Sequence, residues 1–83
     1  MNVLYFAWVR QKTGRSEEVV EYTPALRTVG DLARMLAARG GGFAEAFADM
    51  NRLRAAVNQL HAGLDTVLAA GDEVAFFPPV TGG

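Results

Sequence analysis

The chain closes with Gly71-Asp72-Glu73-Val74-Ala75-Phe76-Phe77-Pro78-Pro79-Val80-Thr81-Gly82-Gly83. Residues 74–77 are an apolar, β-prone run that follows a Gly-Asp turn signal and precedes two prolines. Because prolines lack an amide donor and fix φ, the strand must end there and the chain must leave the sheet extended. The pattern therefore predicts a last β-strand over 74–77, followed by a stiff, extended segment.

The residues after the prolines are small, and they end in the α-carboxylate of Gly83. Fully extended, the six residues from Pro78 to Gly83 reach roughly 20 Å from the folded body. Glycines have no Cβ, so this backbone could enter a channel too narrow for other residues. We predict that the tail is inserted into another protein; the alternative is an ordinary disordered terminus.

The composition indicates one small domain with a buried core. The chain has 83 residues, of which 51% are hydrophobic and 20% charged, enough apolar material for a modest core. The net charge is −1 and the eight Lys/Arg are scattered, which argues against nucleic-acid binding. Cysteine is absent, which excludes disulfides, thiolate metal sites and a cysteine nucleophile. With no long apolar run and no basic leader, we expect a soluble, non-secreted protein that binds no membrane.

Working outward from the tail, hydrophobic alternation predicts strands over residues 3–9, 17–23, 54–59 and 74–77. A hairpin loop is expected over 10–16, and the glutamates of the second strand suit a solvated edge. We expect Val57 to point inward and residues 60–63 to form a turn. Residues 64–70 should carry Leu64, Val67 and Leu68 into the core.

One main helix is predicted after Thr28, which can cap it together with Asp31. Its apolar stripe has helical spacing and consists of Val29, Leu32, Ala33 and Leu36. Gly40-Gly41-Gly42 should end the helix in left-handed conformations, and a short second helix is expected over residues 43–50, with Phe43 and Phe47 one turn apart. The glycine run is not a phosphate loop, since no strand precedes it and no Lys-Ser/Thr follows.

The side chains suggest no enzyme. His61 is the only histidine and has no acidic or cysteine cluster around it, so a solvated turn is expected rather than a metal site. Ser16 is the only serine and lacks a glycine-flanked nucleophile elbow. The carboxylates lie at predicted strand ends and turns without the spacing of an acid–base pair. The distinctive reactive group is the main-chain carboxylate of Gly83.

The ending Phe76-Phe77-Pro78-Pro79-Val80-Thr81-Gly82-Gly83 closely resembles that of the small, sulfur-carrying subunits of molybdopterin synthase. Further matches are Ala55-Ala56-Val57-Asn58-Gln59, Val3-Leu4-Tyr5-Phe6-Ala7 and Thr28-Val29-Gly30-Asp31-Leu32, so the resemblance spans nearly the whole chain. It implies an α+β fold of the ubiquitin-like β-grasp type, a ββαββ mixed sheet on one main helix with the first and last strands parallel and central. Residues 1–78 would form this domain, and residues 79–83 would form a flexible tail.

The resemblance also implies a chemistry for Gly83, with Gly82 beside it. In this family an E1-like adenylyltransferase consumes ATP to adenylate the carboxylate, and a sulfur donor enzyme converts the adenylate into a thiocarboxylate. The large synthase subunit then receives the tail, and the sulfur passes to cyclic pyranopterin monophosphate. The implied assembly is a cytoplasmic heterotetramer of two small and two large subunits, and the small subunit binds no cofactor of its own.

The partner-binding residues are assigned partly by strand alternation and partly by the resemblance. We expect Val74 and Phe76 in the core and Phe77 against the partner. The remaining expected contacts are Phe6, Arg10, Pro78, Pro79, Val80 and Thr81. His61 departs from the apolar residue that the family can place in this contact, and Trp8 suits either core or surface. Rival functions are a sulfur carrier for thiazole synthesis, a ubiquitin-like modifier that conjugates to lysines, and a binding module with an inert tail.

Overall fold

The computed structural model describes residues 1–79, so the predictions for Val80, Thr81, Gly82 and Gly83 lie outside the described residues. Within that range the chain forms five strands, three α-helices and one 3₁₀ turn. In chain order these are β1 (Asn2–Tyr5), α1 (Ala7–Thr13), β2 (Glu17–Val19), α2 (Val29–Ala37), α3 (Gly41–Ala46), the 3₁₀ turn Met50–Arg52, β3 (Arg54–Val57), β4 (Leu60–Ala62) and β5 (Glu73–Phe77).

The five strands form one mixed sheet in the order β2-β1-β5-β3-β4. β5 is the middle strand, and it pairs with β1 in parallel and with β3 antiparallel. The two outer pairs, β1 with β2 and β3 with β4, are antiparallel. β1 and β5 are the most apolar strands, as expected for strands with neighbours on both sides. The predicted parallel, central pairing of the first and last strands is therefore confirmed.

The core lies between the sheet and the helices. Alternation along β5 buries Val74 and Phe76, while Ala75 and Phe77 point to the opposite face. The four predicted stripe residues of α2 are fully buried. The capping box of α2 is also present: the Asp31 amide donates to Thr28 Oγ1 (3.2 Å), and the Thr28 amide donates to the Asp31 carboxylate (3.0 Å). This is the β-grasp arrangement of ubiquitin-like proteins.

The predicted strand over 3–9 is wrong beyond Tyr5. The Phe6 amide still donates to the Phe76 carbonyl in the sheet (3.1 Å), but the Phe6 carbonyl already accepts from the amide of Val9 (3.1 Å). Helix α1 therefore replaces both the end of that strand and most of the predicted loop. A helix places Val9 and Thr13, four residues apart, on one buried side, and Gly14 ends it in a left-handed conformation.

Three further predictions need correction. β2 ends at Val19 rather than at residue 23, and β3 ends at Val57 rather than at residue 59. Residues 60–62 form strand β4 rather than a turn. The turn is one step earlier, where Asn58 and Gln59 both have positive φ, as a two-residue hairpin requires. The Asn58 side chain holds this hairpin against the start of β5: its Nδ2 donates to Asp72 Oδ1, and its Oδ1 accepts from the Glu73 amide.

The loop segments contribute less to the core than predicted. Leu68 is buried, but Leu64 and Val67 are exposed. Val67 forms an isolated β-bridge with Thr28, just before α2. Val57 is half-buried and packs against the core, so it points inward as predicted. Phe43 and Phe47 are buried, and both rings lie edge-on to the ring of Tyr5. α2 ends before the glycine run, at Ala37, and α3 begins within the run, where Gly40 and Gly41 have positive φ.

Candidate functional site

The exit segment Phe77–Pro79 leaves the sheet at its middle. Phe77 is the last residue of β5 and lies opposite Arg54 at the start of β3. On the other side of β5, the hydrogen bond from the Phe6 amide to the Phe76 carbonyl marks where β1 ends. Because β1 and β5 are parallel, Phe6 and the exit segment lie at the same end of the sheet, which we call the tail end.

The sheet face that points away from the helices carries a contiguous apolar surface. Ala75 lies opposite Leu4 on one side and Ala56 on the other, and Phe77 follows Ala75 on the same face. We call this set, Leu4, Ala56, Ala75 and Phe77, the outer apolar face. All four are half-buried in the isolated chain, so this face is suited to a partner that completes their burial.

His61 borders the outer apolar face. It lies opposite Ala56 in the sheet, and its ring is 5.9 Å from the ring of Phe77 in an edge-to-face arrangement. The residue is exposed, as predicted, but it belongs to strand β4 rather than to a turn. The polar ring therefore sits beside the aromatic side chain that we assign to partner binding.

The structure brings some of the predicted partner-binding residues together. Phe6 is 50% exposed, and Arg10 begins the next helical turn, with its amide 3.3 Å from the Phe6 carbonyl. Both are accessible at the tail end, near Phe77. Pro78 and Pro79 are half-buried. The burial predicted for Val74 and Phe76 is confirmed, whereas contact of the other residues with a partner stays a prediction.

Sequence reasoning missed a partly buried ion cluster around Glu18. The Tyr5 hydroxyl donates to Glu18 Oε2 (2.7 Å), and the Arg39 guanidinium donates to the same oxygen (2.8 Å). Arg15 is 3.5 Å from the other oxygen. Glu18 was predicted on a solvated edge. Arg15 is only three residues away in the sequence, but Tyr5 and Arg39 come from distant segments, so the sequence gave no signal for the whole cluster.

This cluster shifts the pKa values of its members. Burial by itself would raise the pKa of Glu18, but the hydrogen bonds from Arg39 and Tyr5 and the charges of Arg39 and Arg15 together hold it below its ordinary value. Burial, followed by the hydrogen bond to the Glu18 carboxylate, raises the pKa of Tyr5. The cluster ties β1 and β2 to the end of α2 and is best explained as structural.

Trp8, which the sequence left unassigned, is half-buried on α1 and packs against the edge of the core. The Arg52 guanidinium lies 5.6 Å from the centre of its ring, within the range of a cation–π contact. The two residues share a surface cleft with Lys12, Glu45 and Asp49. Sequence reasoning missed this pair because Trp8 and Arg52 are far apart in the chain.

Within residues 1–79, no three His, Cys, Asp or Glu side chains are grouped so that they could hold a metal ion. In the same range no helix has the length and apolarity to cross a bilayer.

These features define a β-grasp protein whose central strand ends in a proline exit segment, and comparison with known proteins agrees with this fold. The chain matches the ThiS family over residues 3–83. It is 45% identical to the molybdopterin synthase sulfur carrier subunit of Escherichia coli K12, over 100% of this chain and 99% of that protein. The chain belongs to the ThiS family and, within it, groups with the molybdopterin synthase sulfur carrier subunits.

Solved structures are similar over the same length. The chain is 34% identical to a putative molybdopterin converting factor, subunit 1, from Pyrococcus furiosus, with a TM-score of 0.76 and 95% of each chain covered. It is 25% identical to small archaeal modifier protein 1 of Haloferax volcanii, with a TM-score of 0.69, covering 96% of this chain and 97% of that one.

Proposed function

We propose that this chain is the sulfur-carrying small subunit of a molybdopterin synthase and that its working group is the Gly83 carboxylate. The observation that carries the proposal is the full-length 45% identity to a protein of that name. The geometry supports it, since the central strand β5 ends in a proline exit segment beside an accessible apolar face. A rigid domain with a reaching tail suits delivery of a group to a site on another protein.

The carboxylate needs activation because its oxygen is a poor leaving group. On an E1-like adenylyltransferase, a Gly83 carboxylate oxygen attacks the α-phosphate of ATP, and pyrophosphate leaves. A sulfur donor enzyme then supplies sulfide-level sulfur to the acyl carbon, and AMP departs to leave a thiocarboxylate. The thiocarboxylate sulfur attacks cyclic pyranopterin monophosphate, and water cleaves the resulting thioester, which restores the Gly83 carboxylate and leaves the sulfur on the pterin. Two such transfers build the dithiolene of molybdopterin. ATP is thus consumed by the partner, and no cofactor is bound by this chain.

The large synthase subunit is the proposed partner of the outer apolar face. Phe77 and Phe6 would be its aromatic anchors, with Arg10 beside them, while Pro78, Pro79, Val80 and Thr81 would line the path of the tail. Gly82 would pass the narrowest point, because a residue without a Cβ needs the least room. Two small and two large subunits would assemble in the cytoplasm.

Intact-mass spectrometry tests the carrier function. The chain is incubated with the activating enzyme, ATP and the sulfur donor, and the same mixture is prepared with a chain that lacks Gly82 and Gly83. We expect the full chain, and not the shortened one, to gain the mass of one oxygen-to-sulfur exchange. Adding the large subunit and cyclic pyranopterin monophosphate should then restore the original mass and form molybdopterin.

A ubiquitin-like modifier is the second candidate, and the similarity to small archaeal modifier protein 1 favours keeping it. Lysine conjugates of the chain in its native cell, without any thiocarboxylate, would support this function over the carrier function. A thiocarboxylate that is transferred during thiazole formation but not to the pterin would indicate the thiazole carrier. An unchanged mass in every mixture would indicate an inert tail.

A further inference from the structure

Three arginines surround the end of the sheet at which the exit segment begins. The tail end is where β1 and β5 finish and where β2 and β3 begin. Arg10 follows the end of β1 by one helical turn, Arg54 is the first residue of β3, and Arg52 precedes it by two residues. All three are exposed. We call the end at which β1 and β5 begin the far end.

Two of the tail-end arginines are held by uncharged groups. The Arg52 guanidinium lies over the ring of Trp8. Arg54 donates from one guanidinium nitrogen to the carbonyls of Asn51 (3.1 Å) and Leu53 (2.8 Å). Neither forms an ion pair within residues 1–79, and Arg10 forms none in that range either. We call Arg10, Arg52 and Arg54 the basic rim.

Within residues 1–79, the neighbouring carboxylates form no ion pair with the rim. Asp49 shares the Trp8 cleft, but its Oδ1 accepts from the Asn51 amide (3.0 Å). Glu17 shares a shallow cleft with Arg10 without forming an ion pair. An aromatic ring and two carbonyls orient Arg52 and Arg54 and leave their charge available to an outside group.

The basic rim flanks the point at which the tail begins. Arg54 lies opposite Phe77 on the β3 side, and Arg10 follows Phe6 by one helical turn on the β1 side. The terminal carboxylate is up to roughly 20 Å away along an extended tail. When the tail enters a cleft, the rim therefore meets the entrance of that cleft and not the reaction centre.

We propose that the basic rim docks on carboxylate side chains around the entrance of the cleft in the large subunit that receives the tail. The proposal rests on the proposed function, because it assumes that the tail is delivered to that subunit. An acidic entrance attracts the three arginines around the exit segment, so the protein arrives with its tail forward. A nucleic acid fits less well, since the net charge of the chain is −1 and nucleic-acid binding relies on a strong positive charge.

The test is the association rate constant between the full chain and the large subunit, measured by stopped-flow over a series of salt concentrations. We expect the wild-type rate to fall as salt rises. The double variant Arg52→Gln/Arg54→Gln should associate about tenfold more slowly at low salt and should lose most of the salt dependence. Its dissociation rate should change far less.

Two controls separate charge from folding. Arg52→Lys/Arg54→Lys keeps both charges and should retain most of the wild-type rate. Arg27→Gln removes an exposed arginine at the far end and should not slow association. Three outcomes would each refute the docking proposal. They are a wild-type association rate that does not change with salt, a lysine variant that associates as slowly as the glutamine variant, and an equally slow association of Arg27→Gln. If the wild-type chain does not bind the large subunit at all, the proposed function fails with it.

Discussion

At the scale of single residues, Phe76 and Phe77 show how one step along a strand changes the role of a side chain. Phe76 is 1% exposed, and its ring lies 5.0 Å from that of Phe47 in an edge-to-face pair. Phe77 points to the other face and meets only the exposed ring of His61 among the aromatic side chains of residues 1–79. The same residue type therefore stabilises the core at one position and is available for binding at the next.

We expect Phe76→Ala to lower the free energy of unfolding by about 3–5 kcal/mol, because it leaves a cavity in the core. Phe77→Ala should leave the isolated domain nearly as stable and should weaken binding to the large subunit by about 2 kcal/mol. Urea melts and binding titrations of both variants measure these effects. The reverse pattern would show that the two faces have been assigned the wrong way round.

The lowered pKa of Glu18 predicts how the stability of the isolated domain depends on pH. Its pKa is lowered in the folded state, so the folded state gains stability while the carboxylate is ionised. That contribution is present above the ordinary pKa of 4.5 and is lost as the pH falls below it, through the lowered value. Glu18→Gln should cost about 1–3 kcal/mol at pH 7, where its charge-assisted hydrogen bonds are replaced by weaker ones.

The measurement is urea unfolding from pH 7 down to pH 3 for both proteins. The difference between them should shrink as the wild-type carboxylate becomes protonated. Tyr5→Phe is a useful comparison, since it removes one hydrogen bond and keeps the Glu18 charge and its contact with Arg39. A difference between wild type and Glu18→Gln that stays constant with pH would argue against a lowered pKa.

At the scale of elements, the close packing of α1 against α3 depends on Gly42. A Cβ at this position would overlap the Lys12 carbonyl in the last turn of α1. Because the obstacle is backbone, a side-chain rotation cannot relieve it, and the two helices must move apart. The glycine run, read from sequence as the end of a helix, therefore also permits a helix–helix contact.

We expect Gly42→Ala to destabilise the domain by about 1–3 kcal/mol, as overpacked positions do. Gly41→Ala is the matched control, because a Cβ there would meet nothing within 4 Å and only the positive φ of 54° is strained. Its cost should be smaller, about 1 kcal/mol. Thermal melts of the two variants compare them directly, and equal losses would remove the argument from helix contact.

At the scale of the whole molecule, stability depends on the folded domain, whereas the proposed function depends on the tail. The described core packs β1 and β5 against the helices, and the exit segment begins at the last residue of β5. A diglycine contributes little apolar surface to any core. The domain should therefore fold without the residues that carry out its proposed chemistry.

Deleting Gly82 and Gly83 should leave the thermal midpoint almost unchanged and should abolish sulfur transfer. Differential scanning calorimetry and the molybdopterin-forming assay measure the two effects. Gly82→Leu, which keeps the length of the tail, should fold normally but transfer poorly because of its bulk. A strong loss of stability on deletion would mean that the tail packs on its own domain.

The sequence by itself determined the parts that depend on local chemistry. The prolines end β5, the alternation of Val74 and Phe76 defines its buried face, and the capping box and stripe define α2. The ending of the chain also indicated the family, which the full-length similarity confirms. These features are carried by neighbouring residues, so their physical signals are visible without a fold.

Only the tertiary structure decided the features that join distant segments. The residues after Tyr5 could bury apolar side chains as a strand or as a helix. Helix α1 forms because it buries Val9 and Thr13 and packs against α3 and β5. Residues 60–62 form β4 because they pair with the edge of β3. The basic rim needed the sheet to bring residues 10, 52 and 54 around one strand end. Packing and pairing partners separated by tens of residues set these outcomes, and a one-dimensional pattern does not contain them.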